Sequence, residues 1–439
     1  MLPFAEAFFM SDQTPPTDRP RIVILGAGFA GLRLARKLSN QPVDVLLIDK
    51  NNFHQFQPLF YQVATAGLAP SSISFPIRKA FHKAKNVRFR MAEVHQIDPT
   101  ERSVVTSIGK ITYDTLVIAT GSDTNYFNNR QIEAHALPMK SVQESLIIRN
   151  RILENMEAAL VAESDEERRA LMNVVVVGGG PTGTEVSGAL SEMRSYVLPK
   201  DYPELDFSQM EIHLIEASPR LLGAMSAVSS TESMAFLTEM GVQVELNTLV
   251  ESYDGHTVTT KDGRTFITKN LIWAAGIKGN LLKGIPTESI AANGRIKVDG
   301  FNRMQGHKDL YVLGDIAMME TDGFKKGHPQ VAQVAIQQAD RLSANLLLQL
   351  KGKASLPFQY NDLGSMATVG RNRAVVDLPY WKFQGFFAWV FWLFVHLMSI
   401  LGVKNRLFIF LEWTWNYFTY DQSLRLVIKQ KPRDSEASD

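Results

Sequence analysis

Two six-residue stretches hold the residue types that binding a phosphate would need. Gly26-Ala27-Gly28-Phe29-Ala30-Gly31 and Gly178-Gly179-Gly180-Pro181-Thr182-Gly183 each place glycine at the first, third and sixth positions. In such a loop Gly26 and Gly178 permit a tight turn, and Gly28 and Gly180 let backbone approach a pyrophosphate. Gly31 and Gly183 let a helix pack close on a strand. A helix opening there aims free N–H groups and its positive dipole end at the phosphates. Each loop has an acid downstream: Asp49 comes eighteen residues after Gly31, and Glu216 thirty-three after Gly183. An acid ending the next strand can accept from ribose hydroxyls. At Glu216 it favours a ribose 2′-OH over a 2′-phosphate, so NADH over NADPH, while Arg220 four residues on pulls the other way.

The elements around both loops follow one order. Arg21–Leu25 reads as a buried strand, followed by the first loop, a helix through Leu38 and a strand from Val43 to Ile48 ending on Asp49. Asn173–Val177, the second loop, a helix to about Val197 and a strand from Glu211 to Glu216 repeat it, with an extra segment near 196–209. Strand–helix alternation of this kind implies parallel sheet in α/β layers, here two Rossmann-like units. Three further strand patterns, 115–121, 271–276 and 310–315, end in the small residues Gly121, Ala275, Gly276 and Gly314. Small residues there either let backbone approach a cofactor or make a tight turn. Asp315 reads as a partner for a flavin ribityl chain or phosphate. Two dinucleotide sites in one chain suggest one bound flavin and one exchanging nicotinamide, with electrons passing between them. Asp262-Gly263 and Asn293-Gly294 read as hairpin turns. Ser164–Arg169 reads as a solvated helix end or loop.

Composition excludes several chemistries. The 439 residues contain no cysteine, which removes disulfides, thiolate metal sites, iron–sulfur clusters and thiol nucleophiles. The nine histidines show no metal-ligand spacing, so no metal is expected. A formal charge of +1 supplies no global field for nucleic acid. The apolar stretch at Phe8-Phe9-Met10 is too short for a secretory signal and lacks a basic segment before it, which favours a cytoplasmic start at Met1 or Met10.

Beyond the loops, longer motifs narrow the family. Lys50-Asn51-Asn52-Phe53-His54-Gln55-Phe56-Gln57-Pro58-Leu59-Phe60-Tyr61-Gln62-Val63-Ala64-Thr65-Ala66-Gly67-Leu68, Gly178 to Leu190, and Ala332-Gln333-Val334-Ala335-Ile336-Gln337 resemble signatures of the type II NADH:quinone oxidoreductases. These are two-dinucleotide-domain flavoproteins of glutathione-reductase-like architecture. The resemblance implies bound FAD, NADH as substrate, and a membrane quinone reduced by two electrons without proton pumping. It assigns FAD binding to Gly26, Ala27, Gly28, Phe29, Ala30, Gly31, Asp49, Lys50, Gln57, Val94, Gly121, Gly314, Asp315, Ala332 and Gln333. NADH binding falls to Gly178, Gly180, Pro181, Thr182, Gly183, Glu185, Glu216, Ala275 and Gly276, and the quinone pocket to Gln333, Gln337 and Pro58. Glu185 is implied as the key acid beside nicotinamide and flavin. By type and position alone, Glu185 equally fits a helix-start acid complementing the dipole. Gln333 and Gln337, one turn apart, equally fit a polar surface. Disulfide reductases of this fold need a dithiol and sulfide:quinone oxidoreductases need cysteine, so electrons must leave the flavin directly. The expected organisation is a tail at 1–20, an FAD domain at 21–140 and 295–375, an NADH domain at 141–294 and a membrane-anchoring region at 376–439.

That last region differs in character. Five of six Trp lie between 381 and 415, and sixteen of forty-two aromatic residues between Tyr380 and Tyr420. Phe386–Val403 is almost unbroken apolar sequence; eighteen residues of helix span roughly 27 Å, borderline for a bilayer. Asn405, Glu412, Asn416 and Thr419 form a polar stripe in the next segment, flanked by Lys404, Arg406 and Arg425. Two amphipathic helices in one leaflet fit these patterns better than a single span, the other reading being a dimer interface or core helix. The resemblance implies a peripheral, monotopic protein on the cytoplasmic face of a bacterial inner membrane, its basic residues meeting anionic lipid. A homodimer would set two such faces on one membrane. Two other functions stay open on the residues: a nicotinamide-sensing flavoprotein acting through partner binding, like the apoptosis-inducing-factor relatives of this fold, and a reductase of a small electron-carrier protein.

Overall fold

Runs of β-branched and aliphatic residues form the strands that the pattern anticipates. The computed structural model describes residues 18–421 and 424–427, so the expected tail at 1–20 and its start site fall almost wholly outside the described residues. Contacts divide the chain into two units. The first takes in the described residues of Met1–His54 with Phe75–Asp123 and Ile277–Asp362; the second takes in those of Gln55–Ser74, Thr124–Gly276 and Leu363–Asp439.

In the first unit, five parallel strands stand in the order Leu310–Val312, Thr115–Ile118, Arg21–Leu25, Asp44–Asp49, Val87–Met91. The central strands are buried on both faces, as near-continuous apolar runs require. Helix Phe29–Lys37 packs against helix Ala332–Leu350, where the Arg33 guanidinium meets Asp340 at 2.7 Å. The expected turn at Asn293-Gly294 forms, with Gly294 at φ +73° and Ala291 N–H donating to Arg295 O.

The second unit repeats the plan with strands in the order Leu137–Pro138, Asn270–Trp273, Val174–Val177, Ile212–Ile215, Gln243–Glu245. Helix Pro181–Glu192 passes through a π turn, Met193–Val197, into a short helix, Leu198–Asp201, which accounts for the extra segment before Glu216. The turn at Asp262-Gly263 joins the antiparallel strands Thr257–Thr260 and Thr265–Ile267. Ser164 caps helix Asp165–Met172 through its side chain, so the charged run is a helix start.

The unit boundaries differ from the expected domains at both ends of the signature and near the C-terminus. Gln55–Ser74 groups with the second unit, and the third segment of that unit begins at Leu363 rather than after residue 375. The reason lies in the antiparallel strands Ser365–Thr368, Ala374–Asp377 and Lys382–Gln384, the first packing against helix Pro181–Glu192 and the other two against helix Ala227–Glu239. Contact is close enough that a Cβ on Gly188 would stand 2.9 Å from the backbone N of Gly370.

The long apolar stretch is shorter as a helix than it looks in sequence. A helix runs from Phe386 to Ser399, the chain breaks at 400–402 with Gly402 at φ +88°, and a second helix covers Val403–Thr419. Among the described residues no helix is long and apolar enough to cross a membrane. The polar stripe of the second helix faces protein. Asn405 donates to the carbonyls of Ser72 and Ser74, Ser72 donates to Glu412, and Asn416 donates to Gly67 O at 3.0 Å. Only Thr419 of the four turns back on its own helix. Leu407, Trp415 and Phe418 of this helix are exposed, as are Phe387 and Phe394 of the helix before it.

Candidate functional site

Both glycine loops are built alike, one in each unit. Gly26 N–H donates to Ile48 O at 2.7 Å and Gly178 N–H to Ile215 O at 2.8 Å, hanging each loop on the neighbouring strand. Gly26 and Gly178 sit at φ +98° and +111°, where an L side chain is strained. A Cβ on Gly31 would lie 1.8 Å from Gly26 O, and on Gly183 1.9 Å from Gly178 O, so helix and strand approach too closely for any side chain. The middle glycines behave differently. Gly28 and Gly180 have φ of −68° and −73°, and a Cβ on either would meet nothing within 4 Å. The protein itself does not require glycine there; a phosphate resting on the backbone does.

The two acids brace these loops. Asp49 accepts from Ala27 N–H at 2.6 Å and Asn51 N–H at 2.7 Å; Glu216 accepts from Gly179 N–H at 2.6 Å and Ser218 N–H at 2.7 Å. Burial raises the Asp49 pKa despite both bonds. Each carboxylate keeps a free lone pair on both oxygens, so bracing leaves capacity for a ribose hydroxyl. In the first unit buried His54 completes the brace. Its Nδ1–H donates to Ala27 O at 2.9 Å, and Phe29 packs edge-on at 5.3 Å. The same unit links Ser122 Oγ–H to Asp315 at 2.8 Å.

In the second unit, helix Pro181–Glu192 leaves its loop and buries Glu185 one turn in. Burial pushes the Glu185 carboxyl up to about 8, an effect moderated by the Thr368 amide at 3.4 Å and by the Trp392 indole. The Trp392 N–H is buried and makes no hydrogen bond with a described residue. Tyr61, also buried, sets its ring edge-on to Trp392 at 6.4 Å and receives a bond from Gln62 at 2.8 Å. His396 stacks on Trp392 at 3.9 Å and donates from Nδ1 to the Trp392 carbonyl at 2.8 Å; burial lowers its pKa to about 4, so it stays neutral. Trp413 donates to Gln62 at 2.7 Å. The acid thus sits beside Trp392 of the first aromatic helix, within a cluster that can hold a proton away from water.

Comparison with known proteins assigns the family. The family described as Pyridine nucleotide-disulphide oxidoreductase matches residues 20–339, and the NDH2 C-terminal domain matches residues 363–419. A type II NADH:quinone oxidoreductase, Ndh, of Mycobacterium tuberculosis is 34% identical over 93% of this chain and 91% of its own length. The chain belongs to the type II NADH:quinone oxidoreductase family. A Staphylococcus haemolyticus protein of the same name is 28% identical over 82% of this chain and 89% of its own length. In fold, the chain is similar to NDH2 from Plasmodium falciparum, solved in complex with NADH, with a TM-score of 0.85 at 22% identity over 94% of this chain and 100% of that one. Membership makes the chain an oxidoreductase of flavoprotein type. The partner-binding and electron-carrier alternatives lose their ground to it.

FAD and NADH, the nucleotides of this family, fit the two cradles on the evidence of the unexplained glycines, 28 and 180. The other expected residues are less uniform. Pro181 and Thr182 are exposed at the helix start, and Lys50 is exposed beyond Asp49. Gln57 and Pro58 lie in the second unit on the short turn Gln57–Leu59. Val94 is half-buried against the first unit's core. Gly276 sits at φ +85°, where an L side chain is strained, so the backbone accounts for the glycine, and Ala275 packs on the core beside it. Gly121 is open, and Ala332 starts its helix. Gln333 makes no side-chain bond to a described residue. The Gln337 amide is committed: it donates to Asn361 O at 2.9 Å and accepts from Asn361 N–H at 3.0 Å.

Three contributors escape sequence reading. Gln338, buried one residue past Gln337, accepts from Gly314 N–H at 2.7 Å and so fixes the turn that carries Asp315. Trp392 reads as one aromatic among many. Arg371 donates to Tyr417 O and Asn416 O at 3.0 Å each, capping the last helix, and lies 3.6 Å from the centre of the Tyr420 ring. An arginine beside a glycine turn gives no hint of that in sequence. Among the described residues no group of side chains could hold a metal.

Proposed function

We propose that this chain is a peripheral membrane enzyme that carries FAD in its first unit, takes NADH in its second, and reduces a membrane quinone without pumping protons. The observation that carries this reading is the pair of middle glycines, Gly28 and Gly180, which the fold leaves free and only nucleotide phosphates explain. Bound FAD supplies the two-electron relay between NADH and quinone. The chain's own residues then have distinct tasks. Residues 26–31 hold the FAD pyrophosphate, with Asp49 and Asp315 on its hydroxyls. Residues 178–183 hold that of NADH, with Glu216 on the ribose and favouring NADH over NADPH.

Quinone reduction by NADH consumes one proton from outside: NADH, quinone and H⁺ give NAD⁺ and quinol. Glu185 suits that demand, since a carboxyl with a pKa near 8 keeps its proton at neutral pH while buried. The Thr368 amide orients it, with Tyr61 and the Trp392 indole beside it. Gln333 and Pro58 are assigned to the quinone by the family resemblance; Gln337 acts through the 361 backbone. The exposed aromatic side of the last two helices enters one leaflet at the cytoplasmic face of a bacterial inner membrane, an arrangement a homodimer would double. Purified with detergent, the protein should show an oxidised-flavin spectrum and oxidise NADH only slowly until a short-chain quinone is added. Absence of flavin, or indifference to quinone, would overturn the reading.

A further inference from the structure

The cations expected to meet lipid headgroups beside the last helix are mostly engaged elsewhere. Arg425 pairs with Asp201 at 2.8 Å, and Arg406 donates from Nε to Ile400 O at 2.8 Å. Lys404 alone of the three makes no bond of that kind, its ammonium lying over the Phe408 ring. A different stretch has the unspent charge. From Asn51 to Ala92 there is no Asp or Glu, yet Arg78, Lys79, Lys83, Lys85 and Arg88 all fall within eleven residues of it.

Local structure gathers them on one ledge of the first unit. Arg78 and Lys79 lie on the short helix Ile77–Ala80, Lys83 and Lys85 on the turn after it, and Arg88 on Val87–Met91, the edge strand of the parallel sheet. Phe89 on that strand is buried, and the Arg78 guanidinium lies 5.1 Å from its ring centre, which closes helix against strand. Arg78, Lys79, Lys83 and Lys85 are exposed and Arg88 half-exposed, and none of these five forms an ion pair with a described residue. Edge strands commonly carry charge to prevent pairing, but one or two lysines suffice for that.

We propose that this ledge is a second membrane contact, binding the anionic headgroups of a phospholipid bilayer. The proposal rests on the membrane reading above and says where its electrostatic part resides. A bilayer is favoured over nucleic acid by covalent reach. Ser74, whose carbonyl is held by Asn405 at the start of the last helix, is four residues from Arg78, at most about 14 Å of chain. Within that reach one bilayer can take both, the aromatic helix by burial and the cations by charge.

The test uses the full-length, FAD-loaded protein with phosphatidylcholine vesicles, with and without phosphatidylglycerol. Lys79→Gln, Lys83→Gln and Lys85→Gln are combined, and a control combines Lys308→Gln, Lys351→Gln and Lys353→Gln, equally exposed and equal in charge change. At roughly fivefold per cation, the ledge variant should lose about a hundredfold in affinity for anionic vesicles and little for neutral ones. The control should stay near wild type, and high salt should erase the difference. Equal loss in both variants, or none in the ledge variant, overturns the proposal while leaving the membrane reading intact. Loss confined to an RNA oligomer, with vesicle binding unchanged, overturns it in favour of nucleic acid. Wild type that binds neither kind of vesicle overturns the membrane reading itself.

Discussion

At the scale of single residues, glycines of one motif separate by what they touch. Gly31→Ala sets a methyl 1.8 Å from Gly26 O and should prevent folding, and Gly183→Ala should do the same against Gly178 O. Gly28→Ala and Gly180→Ala meet open space, so both proteins should fold. The first should emerge without flavin, the second with flavin but with its KM for NADH raised at least tenfold; flavin absorbance and steady-state kinetics read the two out. Glu185 gives the pH prediction. Its carboxyl is protonated below about 8, so quinone-dependent turnover should fall as pH rises through that value. Glu185→Gln should lower turnover about a hundredfold and abolish that limb of the pH profile, since proton transfer by a placed acid contributes on that order. An unchanged limb in the variant would remove Glu185 from proton delivery.

The residue scale is also where sequence reading reached furthest. Glycine positions and the acids at strand ends are local patterns, so both cradles were legible. What the acids do to their own loops was not, because the spacing of Asp49 from Ala27 does not reveal a bond between them. Glu185 and Thr368 are 183 positions apart, and their meeting depends on a hairpin seated against Gly188. Gln338 shows the same limit: the sequence motif ends at Gln337, and Gln338 is a further position on the buried face that already includes Val334 and Ala335.

At the scale of elements, helix Pro181–Glu192 and the hairpin over it tie the nucleotide loop to the aromatic helices. Glu185 meets the hairpin at Thr368; seven residues later Glu192 accepts from Arg371 N–H at 2.5 Å. The Arg371 side chain then caps helix Val403–Thr419, and Tyr420 beyond the cap stacks with Tyr196 at 4.3 Å. Two charged hydrogen bonds and ring contact at a half-exposed site should hold the helix end by about 2 kcal/mol. Arg371→Ala should therefore raise proteolytic cleavage near residues 416–420 about thirtyfold, and Arg371→Lys should recover little, lacking the fork that reaches both carbonyls. Cleavage equal to wild type would show that the cap does not hold this helix. Sequence periodicity found the polar stripe of this helix but not its partners. Asn405 and Asn416 clasp carbonyls of residues 67–74 and Glu412 the Ser72 hydroxyl, because side chains that suit water also suit backbone and hydroxyl partners.

At the scale of the whole molecule, the missing cysteine and the pair of cradles say the same thing about electron flow. No thiol stands between the flavin and an acceptor, so electrons taken from NADH must leave to something that diffuses, and the exposed aromatic helices favour an acceptor dissolved in lipid. The most direct measurement mixes the FAD-loaded protein anaerobically with one equivalent of NADH, then with a short-chain quinone, following flavin absorbance. The flavin band should bleach on the first mixing and return fully on the second. Bleaching that quinone does not reverse would contradict the account.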